Sequence, residues 1–148
     1  MERANEIRIS YKGPANRNNQ LKIASPEDAN RIIMDSWDRK TIELFESFKV
    51  VFLNNANVVK GISTISTGGL SGTIVDLRLI FATALKTLAT AIILTHNHPS
   101  GVIQPSKADL ELTIKIVKAG ELLDIKVLDH IIVTPHGCFY SFANEGKI

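Results

Sequence analysis

The spacing of apolar and polar positions changes several times along the chain, and each change marks an element. In residues 1–24, Ile7, Ile9 and Tyr11 alternate with Arg8 and Ser10, which predicts a short edge strand in a polar arm that continues through Gly13-Pro14-Ala15-Asn16-Arg17-Asn18-Asn19. Ser25-Pro26-Glu27-Asp28 reads as a helix start, with Ser25 as N-cap, Pro26 in the first turn and Asp28 as an early carboxylate. That helix is expected from Pro26 to Asp38, with Ala29, Ile32, Ile33 and Trp37 inward, and a short turn follows over Thr41 to Glu46. Phe48 to Leu53 is nearly all apolar and reads as a buried strand. Asn54-Asn55-Ala56-Asn57 supplies a turn, and Val58 to Ile65 returns as the second strand of a hairpin.

Beyond the loop Thr67-Gly68-Gly69-Leu70-Ser71-Gly72, Asp76 caps a helix expected to run to Ala89 on a stripe of Leu77, Ile80, Phe81, Ala84, Leu85 and Leu88. Ala91 to Thr95 is a short apolar run of the kind buried on both faces of a sheet. His96 to Pro105 is a loop. Ser106 caps a third helix to Leu123, with Leu110, Ile114, Val117 and Leu122 inward, and Val127–Thr134 and Cys138–Phe142 form a last hairpin around Pro135-His136-Gly137. The order (β)αββαβαββ predicts an α/β architecture, a mixed sheet with helices on both faces. Residues 1–24 are expected as an N-terminal arm and residues 25–148 as one domain.

Composition narrows the class. The chain has 148 residues, 45% hydrophobic and 22% charged, enough for one ordered domain. No apolar run reaches the roughly 18 residues of a membrane span, and the polar opening segment predicts no signal peptide. The single cysteine, Cys138, excludes an internal disulfide and a multi-cysteine zinc knuckle, and a cytoplasmic setting is expected. The net charge of +2 is too small to argue for nucleic acid.

The chemistry concentrates in His96-Asn97-His98-Pro99-Ser100-Gly101 and Ser106-Lys107-Ala108-Asp109. In extended backbone, residues two apart point the same way, so both imidazoles can reach one ion. Asp109 lies in the first turn of the next helix, and two imidazoles with one carboxylate leave a fourth position of a zinc site open for water. The plainer reading stands beside it: Ser106-x-x-Asp109 is also a helix capping box. Elsewhere the plain readings dominate. His130 reads as a hydrogen-bonded structural histidine, His136 as an exposed turn residue, Cys138 as a small buried hydrophobe and Trp37 as core. Gly68, Gly69 and Gly72 lack the Lys-Ser/Thr of a phosphate loop and read as tight backbone beside the site, and Arg78 reads as half of a surface ion pair.

His96-x-His98, seven residues, then Ser106-x-x-Asp109 resembles the JAMM (MPN+) metalloprotease signature. The wider wording resembles the RadC-like branch of the JAB/MPN superfamily: HNHPSG, PSKAD, Leu128-Asp129-His130-Ile131-Ile132-Val133, Ser141-Phe142-Ala143, Gly68-Gly69-Leu70-Ser71-Gly72-Thr73 and Asp76-x-Arg78, over residues 25–146. The resemblance implies a three-layer α/β/α fold of cytidine-deaminase-like type, and a JAB domain without the helical extension of longer members. It implies Zn2+ held by His96, His98 and Asp109, oxyanion stabilisation by Ser106, and an upstream glutamate as general base. Glu46 matches that glutamate, with Glu43 as the fallback.

Three functions follow as expectations. The first is zinc-dependent hydrolysis of a peptide or isopeptide bond in a protein or peptide substrate. The second is a DNA-repair-associated module, for which the sequence offers no basic cluster beyond Arg39-Lys40 and no spaced stacking aromatics. The third is a metal-binding scaffold without turnover. A zinc deaminase is disfavoured, because its His-x-Glu and Pro-Cys-x-x-Cys pattern is absent.

Overall fold

The computed structural model describes residues 4–8, 10–13, 20–69 and 72–148. Its elements are α1 (Pro26–Asp35), β1 (Ser47–Leu53), β2 (Val59–Thr67), α2 (Leu77–Lys86), β3 (Ala91–Asn97), α3 (Lys107–Leu122), β4 (Lys126–Val133) and β5 (Phe139–Ser141). The five strands form one sheet in the order β2-β1-β3-β4-β5. Only β3 and β4 are parallel, joined by the α3 crossover; β1 is antiparallel to both β2 and β3, and β5 to β4. This is the expected mixed α/β sheet with helices on both faces.

Strand parity divides the core. Val51, Leu53, Ala91 and Ile93 face α1, against Ala29, Ile32, Ile33 and Trp37. Val50, Phe52, Ile92 and Leu94 face α2 and α3, against Ile80, Phe81, Ala84 and Ile116. All seven residues of β3 are buried, so this strand sits at the centre of both cores.

The caps stand where the sequence puts them. The Ser25 side chain accepts from Asp28 N–H, Asp76 from Arg78 N–H, and Ser106 and Asp109 form a reciprocal capping box. Helix ends and inner faces differ more. α1 stops at Asp35 because Ser36 turns back onto Ile33, so Trp37 is buried core outside the helix. α2 stops at Lys86, and Leu88 takes the left-handed conformation common after a helix end (φ 52°); Leu85 and Leu88 are exposed, not inward. In α3 the buried stripe is Thr113, Ile116 and Gly120, while Ile114 and Leu122 are exposed. Gly120 belongs to that stripe because a Cβ there would collide with the Ile125 carbonyl.

The arm shows no strand at residues 4–8 or 10–13, and Ile7 is exposed. Tyr11 reaches β2 only through its side chain, its hydroxyl donating to the Lys60 carbonyl, and no backbone ladder forms there. Ile9, residues 14–19 and Leu70-Ser71 lie outside the described residues. Ile23 is buried in the α1-side core, and Lys22 bridges to Val58. Cys138 is exposed, just before β5 rather than inside it, which overturns its reading as a buried hydrophobe: β5 starts only at Phe139.

One buried side chain ties the turn before β1 to the end of β3. Asn97 accepts from Ser47 N–H at 2.7 Å and donates to the Ile42 and Phe45 carbonyls at 2.7 and 3.0 Å. These bonds hold residues 42–47 against the sheet. Asn97→Ala would orphan all three backbone groups, and each unsatisfied buried group costs about 1–3 kcal/mol. Chemical denaturation should show a loss of about 3 kcal/mol, whereas a loss below about 0.5 kcal/mol would contradict the clamp.

Candidate metal centre

The central strand delivers both histidines. His96 is on β3, facing the α2–α3 side, and is fully buried against Phe48, its partner across β1. His98 lies just past the strand end, where its N–H donates to the Val133 carbonyl. Asp109 enters from the first turn of α3, placed by the capping box: its carboxylate accepts from Ser106 N–H at 2.8 Å, and its own N–H donates to Ser106 Oγ at 3.0 Å. Asp109 Oδ2 takes the capping bond and also lies near His98 Nε2, while Oδ1 faces His96, so cap and site share one carboxylate. Glu46 is the last residue before β1. Its carbonyl accepts from Gly68 N–H and its N–H donates to the Gly69 carbonyl, while the Asn97 clamp fixes the turn behind it.

Glu46, His96, His98 and Asp109 each offer a ligand atom, and these atoms all lie within 4.8 Å of one another. His96 Nε2 is 3.0 Å from His98 Nε2, 3.3 Å from Asp109 Oδ1 and 3.6 Å from Glu46 Oε1; His98 Nε2 is 3.5 Å from Asp109 Oδ2. Glu43 is exposed and outside this group. Ser106 lines the same cleft of about 240 Å³, with Glu46, Gly72, Thr73, His98 and Asp109. A larger hollow of about 520 Å³ between the end of α3, the start of β4 and Ile148 holds none of the four groups.

Proton positions decide what the cluster can bind. His98 Nδ1 lies 2.6 Å from the Val102 carbonyl, which can only accept, so Nδ1 carries the hydrogen and Nε2 keeps its lone pair. With the His96 hydrogen on Nδ1, where it can donate to His130 Nε2, four acceptors converge: two imidazole nitrogens and two carboxylates. Nothing among them donates, so a cation or a bound proton must join them. Nitrogen and oxygen donors in this number suit a divalent metal ion. Burial alone would lower His98, but Asp109, the Val102 carbonyl and Glu46 together raise it above the usual imidazole value. Burial likewise would raise Asp109, yet the adjacent His96 and His98 rings and the Ser106 N–H hold the carboxyl far below the usual range.

The remaining residues fall as follows. His130 is fully buried and hydrogen-bonded, at 2.8 Å from His96 Nδ1, and burial holds it far below the usual imidazole range. His136 is exposed, and Arg78 is in an exposed ion pair with Asp76. Gly68 is tight backbone beside the site, since a Cβ would overlap the Gly72 carbonyl. Sequence patterning missed two contributors. Asn97 had one signal, a polar residue inside an otherwise apolar buried strand end. Thr113 had none beyond its place four residues after Asp109.

The family model for the RadC-like JAB domain matches residues 23–147. The chain is 54% identical over 125 residues to a UPF0758 protein of Flavobacterium johnsoniae, covering 84% of this chain and 53% of that protein. It is 43% identical over 116 residues to a UPF0758 protein of Staphylococcus haemolyticus (78% and 50% covered) and 44% over 113 residues to one of Caldanaerobacter subterraneus (76% and 47% covered). The chain thus spans about half the length of the curated relatives it matches. No helix of the described residues is long and apolar enough to cross a membrane. A match across nearly the whole chain, with relatives this similar, shows that the chain belongs to the RadC-like JAB domain family.

Proposed function

We propose that this domain is a zinc-dependent metallohydrolase of the JAMM type, cleaving a peptide or isopeptide bond in a protein or peptide substrate. The observation that carries the reading is the convergence of one ligand atom each from His96, His98, Asp109 and Glu46, all within 4.8 Å of one another. His96, His98 and Asp109 would hold the ion. A histidine–carboxylate set without thiolate, with one position left open, supports a catalytic rather than a purely structural site. Bound there, zinc would supply Lewis acidity, lowering the pKa of a water to about 7 and polarising the scissile carbonyl.

The chain's own groups do the rest. Glu46, with Oε1 3.6 Å from His96 Nε2 and its side of the cleft shared with His98 and Asp109, would be the general base: it would take the proton of the attacking water and pass it to the leaving amine as the C–N bond breaks. Ser106 Oγ already accepts from Asp109 N–H, so its own hydroxyl proton is free to donate to the carbonyl oxygen as negative charge builds on it. The Asn97 clamp and the Gly68–Gly69 backbone hold Glu46 in place, which limits the reorganisation that proton transfer requires.

Two measurements test this. Protein purified without chelators should carry about one zinc per chain, as a single three-ligand site requires, and His96→Ala or Asp109→Ala should lose it; metal analysis with zinc at background in the wild type would contradict the centre. Glu46→Gln should keep the zinc and lower turnover of any cleaved peptide or isopeptide substrate about 10²–10⁴-fold, the range for losing a general base. Unchanged turnover would remove Glu46 from the mechanism.

A further inference from the structure

His130 and Thr113 lie behind the proposed ligands, and the hydrogen bonds between them run in one direction. Thr113 Oγ1 is 2.6 Å from the Asp109 backbone carbonyl and 2.6 Å from His130 Nδ1. A carbonyl only accepts, so the single hydroxyl proton goes to Asp109, and Oγ1 must accept from His130 Nδ1–H. A neutral His130 then has a bare Nε2, which sits 2.8 Å from His96 Nδ1. His96 must therefore carry its hydrogen on Nδ1, and its Nε2 lone pair turns toward His98, Asp109 and Glu46. One backbone carbonyl thus sets the tautomers of two imidazoles in sequence.

The fold builds this arrangement at a strand irregularity. Ile92 pairs with Val127 but Ile93 pairs with Asp129, so β4 carries one extra residue at Leu128. That extra residue reverses the parity of β4, and His130 lies on the α2–α3 side with His96 instead of on the α1 side. Asp129 stays on the other face, where its carboxylate accepts from Ser141 Oγ and from the Ala143 and His130 N–H groups and secures the turn after β5. Phe142 stacks on the His130 ring at 4.6 Å and Phe48 meets it edge-on, so the ring has little freedom to flip.

We propose that His130, held by Thr113, is a positioning residue that fixes His96 as an Nε2 metal ligand and couples that ligand to the backbone of Asp109. The inference rests on the metal-centre reading above and adds to it an outer partner, of the kind that orients ligating histidines generally.

The test uses the whole chain, with zinc titrated against a competing chelator. His130→Phe, which keeps the ring stacking but cannot accept, should weaken zinc binding about 10–100-fold. His130→Gln, whose amide oxygen can accept from His96 Nδ1–H, should recover most of that loss, and Thr113→Val should lose affinity in the same direction. Unchanged affinity in H130F and T113V, or an equal loss in H130F and H130Q, would overturn the relay. His96→Ala serves as the control: if it too leaves binding unchanged, the metal-centre reading fails, whereas loss in H96A alone defeats only the relay. Long-range ¹⁵N–¹H spectra of the wild type give an answer free of folding effects. They should show His130 protonated on Nδ1 and bare at Nε2; the opposite tautomer would overturn the proposal.

Discussion

Two imidazole nitrogens, His96 Nε2 and His98 Nε2, face each other at 3.0 Å, and the hydrogen bonds behind both rings leave a lone pair on each. Two acceptors do not approach this closely unless something positive joins them. Asp109 and Glu46 complete the same demand from two other elements. The rest of the structure can be understood as the means of holding these four groups against their mutual repulsion: a strand end, a helix cap, a clamped turn and a buried second layer.

Alternation along β3 makes the arrangement economical. His96 points to the α2–α3 layer, where His130 and Phe48 fix it. Asn97 points to the α1 layer, where it fastens the turn that carries Glu46. His98 returns past the strand end to the His96 side. Three consecutive residues thus place two proposed ligands and secure the proposed base. A one-residue slip of β3 would exchange these roles, and the complete burial of the strand on both faces opposes such a slip.

Much of this was legible in local sequence, because the signals are local. His96-x-His98 uses strand periodicity, Ser106-x-x-Asp109 uses helix-cap chemistry, and the Asn-rich turn marks the first hairpin. What stayed hidden depends on tertiary contacts. The buried face of α3 runs through Thr113 and Gly120, a hydroxyl residue and a residue without a side chain, so a hydrophobic count favoured Ile114 and Leu122 instead. Leu85 and Leu88 fit the apolar period of α2, yet the helix ends at Lys86 and Leu88 turns outward. The extra residue at Leu128 has no signature in period-two alternation, although it decides which face His130 occupies. Asn97 could be noticed as polar, but its partners lie fifty or more residues earlier in the chain.

The most direct measurement is a crystal structure of the zinc-loaded chain with anomalous diffraction at the zinc edge. The account predicts one ion bonded at about 2.0–2.2 Å to His96 Nε2, His98 Nε2 and an Asp109 oxygen, with the Glu46 carboxylate beside the open position. An ion bound through Nδ1 of either histidine, or bound elsewhere with these four groups left apart, would contradict it.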